Sequence, residues 1–323
     1  MASPKVLDWL LDESQPAVRY RTLTELLGRP EHDAAVRAAR AQIPKTGWAA
    51  EILAERDPEG WWVNPNNHYT PKYRSTNWKL LMLSDLGVTR ALPAVRTSCE
   101  WWMERSSTRY AWLRGGTGSP HLCNAGNMAR ALIRFGYADD RRVRRTLDWL
   151  VATAHPKGGW SCWTFGNGPA TGRNLDSWEG LSAFAAYPRS RWTASMQGVV
   201  ERGAEFFLER ELHRQGDRYP PWYRFHYPVH YYYDVLVGLD LLTSLGYGAD
   251  PRLRFALDLL KKKRRSDGRW NLDAVHPDVE GGMLTWMQKH PKQRPTPVAL
   301  ETPGKPSKLI TLTALKVLER AAA

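Results

Sequence analysis

The chain has 323 residues, 42% of them hydrophobic, and a formal net charge of +13. That is ample apolar material for a core, yet no stretch approaches the roughly 18 apolar residues of a membrane span. Three cysteines are too few for a disulfide framework, and the opening MASPKVLDWLLDES lacks the basic segment and long apolar run of a secretion signal. A cytoplasmic chain with reduced thiols is therefore expected.

Taken in order, residues 4–11 read as a short amphipathic helix. A second helix is expected over 16–30, with Pro16 near its start and Gly28 at its end, and its partner over 32–43. Asp57-Pro-Glu-Gly-Trp61-Trp62 forms a turn, and a polar loop leads to Ser75. Further helix pairs are expected at 75–87 with 91–102, 124–136 with 140–151, and 176–188 with 192–210. The next unit spans 229–272. There Val235, Leu239, Leu242 and Leu245 recur at about one turn and stop at Gly246. Asp250 and Pro251 then open a helix as N-cap and N1, with Leu253, Leu257 and Leu260 as its buried stripe. A Pro-rich loop separates this unit from a last helix at 307–321.

The 229–272 unit repeats one found 110 residues earlier. Gly136 answers Gly246, Asp140 answers Asp250, Val143 answers Leu253, Leu147 answers Leu257 and Trp160 answers Trp270. Such self-similarity indicates a repeat architecture. The reading is one all-α domain over 1–323, with repeats at about 14–62, 73–114, 121–163, 175–222 and 229–272. Pairing the first and last helices makes a sixth unit and closes an (α/α)6 toroid of less charged inner and more charged outer helices. Closure also removes the exposed apolar ends of an open solenoid.

In such a ring the inner-helix N-termini and the Trp-bearing turns share one face. Residues expected to converge there as ligand contacts are Trp61, His68, Tyr73, Trp78, His121, Asn124, Trp160, Trp163, Trp222, His226, Trp270 and Lys308. The helix N-termini would favour an anionic group, and the aromatic rings would supply apolar walls. Asp176 and Asp234 fall in a column with Ser75, Asn124 and Ser307, all N-cap positions, and Glu179 completes capping-box spacing with Asp176. Asp176, Asp234, Glu179 and His230 are equally the candidates for acid–base work, since a cap can also face a ligand. His226, His230 and Asp234 recur every fourth residue and share a face if their helix begins early. Cys123, Cys162, His226 and His230 form a possible Zn²⁺ set, although no CxxC or HExxH spacing occurs. Lys79 is either a snorkelling side chain or a ligand cation. Lys308, in the first turn of a helix, opposes the dipole unless an anion offsets it.

Much of the positive charge lies on outer helices, as in Arg141, Arg142, Arg144, Arg145 and Lys261 to Arg265. It forms either a solvated face or an attraction to an anionic partner, nucleic acid included, although no nucleic-acid module is recognisable.

The turns Asp57-Pro-Glu-Gly-Trp61, Pro156-Lys-Gly-Gly-Trp160 and Ser266-Asp-Gly-Arg-Trp270 resemble the squalene-cyclase-like repeats of the terpenoid cyclase and protein prenyltransferase β-subunit superfamily, over about residues 14–320. The resemblance implies the toroid and a prenyl-type substrate. The chain departs from the pattern at its catalytic residues. The nearest string to the cyclase D-x-D-D motif is Tyr137-Ala-Asp139-Asp140, the Gln that opens the cyclase repeat is missing, and no zinc-binding Asp-x-Cys occurs.

The leading expectation is an enzyme or binder taking a small ligand with an apolar body and an anionic group, such as an isoprenoid diphosphate, in an aromatic central cavity. One alternative is a carbohydrate-active (α/α)6 hydrolase or lyase, for which Asn64, Asn66, Asn67 and His68 would supply hydroxyl contacts. Another is a non-catalytic protein that binds an anionic polymer through its basic surface.

Overall fold

Helix starts and stops fall where the cap residues set them. The structure is a computed structural model that describes residues 2–109, 113, 122–162, 174–212, 220–230, 232–275 and 299–322. These residues form α1 (Pro4–Leu10), α2 (Pro16–Arg21), α3 (Ala34–Gln42), α4 (Gly47–Ala54), α5 (Thr76–Asp85), α6 (Pro93–Arg109) and α7 (Leu122–Leu132). Then come α8 (Arg141–Thr153), α9 (Asn174–Ala186), α10 (Ala194–Leu208), α11 (Val235–Ser244), α12 (Arg254–Lys262) and α13 (Lys308–Ala322). Wider π turns, Thr22–Leu26 and Ile133–Tyr137, extend α2 and α7. The described residues are all-α, with only isolated bridges of His226 to Ala274 and Asn271 to Pro306 outside the helices.

The carboxylates of Asp33 and Asp140 and the hydroxyl of Thr193 accept first-turn backbone N–H groups of α3, α8 and α10. Asp250 caps the short turn Pro251–Leu253 that leads into α12. Gly136 and Gly246, at φ +100° and +94°, take the left-handed conformation that ends a helix and that a Cβ would strain.

Three helix boundaries differ from the sequence expectation. The 16–30 helix loosens into the π turn after Arg21. An additional helix, α4, follows α3. The helix at 229–245 begins only at Val235, because Asp234 is extended (φ −137°) as its N-cap and Pro228 has no N–H to give.

Helices α5, α7, α9 and α11 pack one upon the next, with α6, α8, α10 and α12 behind them in the same order. Helix α13 packs against α11 on one side and against α1 and α2 on the other, so the first and last helices do pair. One hydrophobic core runs from Val6 to Val317. Every residue of α5 and α7 is buried, whereas α8 and α12 bury a stripe and turn Arg141, Arg144, Lys261 and Lys262 to solvent.

The repeat has a specific mechanical unit. The indole Nε1–H groups of Trp62, Trp160 and Trp270 donate to the carbonyls of Ile52, Leu150 and Leu260, at 2.8, 2.9 and 2.8 Å. Their backbone N–H groups donate to the hydroxyls of Thr76, Ser177 and Thr311, at 2.9, 2.9 and 3.0 Å. Each Trp thus ties the end of an outer helix to the first turn of the next inner one. The residue equivalent to Trp160 and Trp270 is therefore Trp62, not Trp61. Trp61, adjacent to Trp62, stands one residue out of register with the other two.

Helices α7 and α9 approach most closely at Gly126. A Cβ there would be driven into the backbone carbonyl of Glu179 and would lie 2.7 Å from the backbone nitrogen of Gly180. Backbone cannot yield as a side-chain tip can, so Gly126→Ala should cost about 2 kcal/mol or more by forcing the pair apart. Urea denaturation should show a lower midpoint with an unchanged slope.

Candidate active-site cavity

Each inner helix carries a few polar side chains amid apolar ones, and these meet around a cavity of about 580 Å³. It is lined from α2 and its π turn (Tyr20, Arg21, Glu25), α5 (Ser84, Asp85), α7 and its π turn (Arg130, Arg134), α9 (Trp178, Ser182), α11 (Val237, Asp240, Leu241) and α13 (Ile310, Thr313, Lys316). His226, Tyr227, Val229 and Asp234 also line it. Asp85, Ala186 and Ser244 are the last residues of their helices, so the cavity reaches the C-terminal ends of the inner helices. The convergence expected from the sequence lies at the opposite, N-terminal ends of these helices. Of the predicted column, Ser75, Asn124, Asp176, Asp234 and Ser307, only Asp234 lines the cavity.

The lining is charged rather than aromatic. Trp62, Trp160 and Trp270 are fully buried in the core, and the aromatic contributions are Tyr20, Trp178 and Tyr227. Six cations face five carboxylates. Glu25 receives Arg21 (2.8 Å) and Lys316, Asp85 receives Arg134, Asp240 receives Arg320 (2.8 Å), and Glu31 receives Arg40 (2.8 Å). Arg130 alone among the lining cations has no carboxylate within ion-pair distance among the described residues. It lies over the Trp178 ring, 5.1 Å from the centroid. Burial draws it down to about 10, which leaves it charged at neutral pH.

Two buried histidines are held in opposite senses. Arg130 Nη2 approaches His230 Nδ1 at 2.8 Å, and a guanidinium can only donate, so Nδ1 accepts. The proton then sits on His230 Nε2, 3.0 Å from Asp85. Burial pushes the His230 imidazole below its ordinary range, against the pull of Asp85. Burial alone would raise the Asp85 carboxyl, but His230, Arg130 and Arg134 hold it well below the usual carboxylate range. His226 is reversed. Its Nδ1 lies 2.5 Å from Asp234 Oδ2. Asp234 also accepts the backbone N–H of His226 (2.9 Å) and of Val237 (2.8 Å), so it has the partners of a carboxylate and Nδ1 must donate. His226 Nε2 is left as a lone pair with no hydrogen-bond partner among the described residues.

At the other end of α7 and α9, Cys123, Cys162 and Asp176 bring a sulfur, a sulfur and a carboxylate oxygen within 4.8 Å of one another. Cys123 N–H donates to Cys162 Sγ (3.4 Å), and Cys162 N–H donates to Asp176 Oδ2 (2.9 Å). The hydrogen bond with Cys162, followed by burial, holds the Cys123 thiol well above its ordinary value. Lys72 is drawn down to about 8 by burial, against the pull of Cys123 and Glu179. Of the predicted zinc set, then, the two cysteines meet Asp176, while His226 is taken by Asp234 and His230 lies beside Asp85 and Arg130.

Glu179 links the two ends. It accepts from Asn127 (2.6 Å), whose Oδ1 receives Arg130 (3.2 Å). Tyr73 donates its hydroxyl to the His230 carbonyl at 3.4 Å, and Trp78 packs against Tyr73 and Tyr69. His68 is buried beside Ser106. Asn124 is buried in the first turn of α7, and Trp222 meets Tyr233 edge to face. Trp61 is half-buried in its turn. Lys308 donates to the Trp9 carbonyl at 2.6 Å, and Glu301 takes the N–H groups of Lys308 and Leu309, which answers the dipole and fixes α1 on α13. Lys79 pairs with Glu55 at 2.6 Å. Asn64 and Asn67 accept from loop backbone N–H groups instead of facing the cavity. His121 and Trp163 lie outside the described residues.

Sequence reasoning missed Asp85, Asn127, Arg130 and Arg134. The signal was available in two forms. Asp85 is an acid in the last turn of an inner helix, opposed to the dipole. Arg130 is a cation within a helix that is otherwise apolar or small on every face.

No family model matches the chain, and no curated protein matches it. Among solved structures, the crystal structure of a protein from Actinoplanes is 18% identical, with a TM-score of 0.44 and coverage of 95% of this chain and 90% of that one. A type II terpene cyclase, MstE from Scytonema in complex with the product merosterolic acid A, is 14% identical, with a TM-score of 0.33 and coverage of 98% of both chains. Both scores lie below 0.5, so any functional reading rests on the geometry of this chain.

Replacing Asp85 strands His230 and Arg134. Asp85→Asn should cost about 2 kcal/mol, less than the 3–5 of a fully buried pair because Arg134 is partly solvated. The native state holds this carboxyl below its unfolded value, so its contribution is complete above about pH 4 and fades as pH falls further. Denaturation at pH 7 and pH 3 should show the gap between wild type and Asp85→Asn shrinking at the lower pH.

Proposed function

We propose that the chain is an enzyme with an α/α toroid architecture, whose cavity binds a small ligand bearing an apolar body and an anionic group, and that His226 acts on it as a general base. The observation that carries this reading is the His226–Asp234 pair. Asp234 fixes the tautomer and leaves the Nε2 lone pair of a cavity-lining residue without a partner. The proton would pass from the ligand to Nε2, and Asp234 would stabilise the resulting imidazolium. His230 is not available for this step, since its ring is engaged between Arg130 and Asp85.

Binding follows from the lining. Val237, Leu241, Leu309 and Ile310 give apolar surface. Arg130, charged and without a carboxylate in ion-pair distance among the described residues, supplies the anion contact. An isoprenoid diphosphate belongs to this ligand class. Initiation of a cyclisation by Asp234 is not part of the proposal, because its oxygens already accept from His226 Nδ1 and from the backbone N–H groups of His226 and Val237. Asp176 and Glu179 are assigned to the opposite end of α7 and α9 and not to this step.

Calorimetry with inorganic diphosphate and geranyl diphosphate tests the binding. Both should bind, the prenyl ester more tightly, and Arg130→Met should weaken each by about tenfold or more. Binding of neither, or full affinity in Arg130→Met, would remove the reading. His226→Gln should retain binding while abolishing exchange of ligand protons with D₂O, followed by NMR.

A further inference from the structure

A second site stands apart from the cavity. We propose that Cys123, Cys162 and Asp176 form a binding site for Zn²⁺, with two thiolates and one carboxylate as its protein ligands among the described residues. The inference does not depend on the cavity reading, because none of the three residues lines the cavity.

The argument begins with where the donors come from. Cys123 lies in the first turn of α7, Cys162 in the segment after α8, and Asp176 in the first turn of α9. Three separated segments thus deliver three metal-binding atoms to within 4.8 Å of one another. On a tetrahedral zinc, with S at about 2.3 Å and O at about 2.0 Å, the donors would be about 3.5–3.8 Å apart. Side-chain rotation of about 1 Å closes that difference without moving a helix.

The surroundings orient the donors. Backbone N–H groups already point at the donors: Cys123 N–H at Cys162 Sγ (3.4 Å) and Cys162 N–H at Asp176 Oδ2 (2.9 Å). Such outer hydrogen bonds orient and stabilise the charged ligands of a metal site. Lys72 has Cys123 as its leading charge partner and would offset part of the negative charge left after Zn²⁺ binds two thiolates and a carboxylate. Thiolates select zinc over magnesium or calcium, whose preferred ligands are oxygens.

The test uses full-length protein purified with zinc in the medium and then desalted. Elemental analysis should find about one zinc per chain, and cobalt substitution should give a thiolate charge-transfer band with tetrahedral visible absorption. Cys162→Ser and Asp176→Asn should each weaken zinc binding by about 100-fold, whereas Cys99→Ser, a buried thiol on α6, should bind as wild type. Cys162→His supplies a replacement ligand, so it should recover zinc and show a weaker cobalt–thiolate band, which separates lost ligation from lost folding. Substoichiometric zinc in wild type, cobalt spectra without the thiolate band, or full affinity in Cys162→Ser would overturn the proposal. A Cys123–Cys162 disulfide in zinc-free protein, found by mass spectrometry, would also overturn it.

Discussion

The approach of α7 to α9 at Gly126 is the constraint on which the rest depends. With no side chain at that point, the two backbones meet, and polar residues one turn apart on each helix fall opposite one another. Along α7 these are Cys123, Asn127 and Arg130; along α9 they are Asp176 and Glu179. The Asn127 bond to Glu179 lies at the middle of this seam. Spread the helices by one methyl group and both the thiol cluster and the Arg130 contacts would lose their register. A packing contact thereby fixes the electrostatics at two places separated along the same pair of helices.

The charges themselves are costly to bury, and the structure offsets that cost by pairing. Removing an ion from water costs several kcal/mol even after relaxation, and an opposite charge recovers it only with good geometry. Glu25 illustrates this: burial raises its carboxyl, yet Arg21 and Lys316 together hold it below the usual range. Asp85 behaves likewise beside His230, Arg130 and Arg134. Arg130 is the exception, since it has a ring and neutral acceptors but, among the described residues, no carboxylate within ion-pair distance. Cations near the C-terminal ends of the inner helices also agree with the partial negative charge there. The cavity is therefore a balanced charged lining with one guanidinium left over, a different object from a cage of aromatic rings.

Much of the fold was legible in the sequence because its signals were local. Asp140 and Asp250 cap as their position before a periodic run implies, and Gly136 and Gly246 end helices as left-handed glycines do. The 110-residue self-match located the repeat, and the pairing of α1 with α13 followed from each lacking a partner. The site was less legible for physical reasons. Adjacent tryptophans at 61 and 62 concealed which one carries the tether, because only the hydrogen bonds to Ile52 and Thr76 distinguish them. Tryptophan content suggested a ligand cage, but an indole whose N–H caps a helix end serves packing equally well. Fourfold spacing put His226, His230 and Asp234 on one helical face. The described residues 226–230 and 232–234 are not helical, so His226 meets Asp234 and His230 meets Asp85.

The two histidines show why residue type alone could not assign roles here. Each is buried, and each lies close to a carboxylate. What separates them is the group at the second ring nitrogen. At His230 that group is a guanidinium, which can only donate, so the lone pair is consumed and the ring becomes part of a fixed network. At His226 the carboxylate accepts a hydrogen bond from Nδ1–H, and among the described residues no group meets the other nitrogen. One imidazole is thus a structural link, and the other keeps a lone pair at a residue that lines the cavity. The same distinction separates the thiols: Cys99 is buried on α6 away from the cluster, whereas Cys123 and Cys162 face each other and a carboxylate. Reactivity in this chain follows from which donors and acceptors remain unspent after folding.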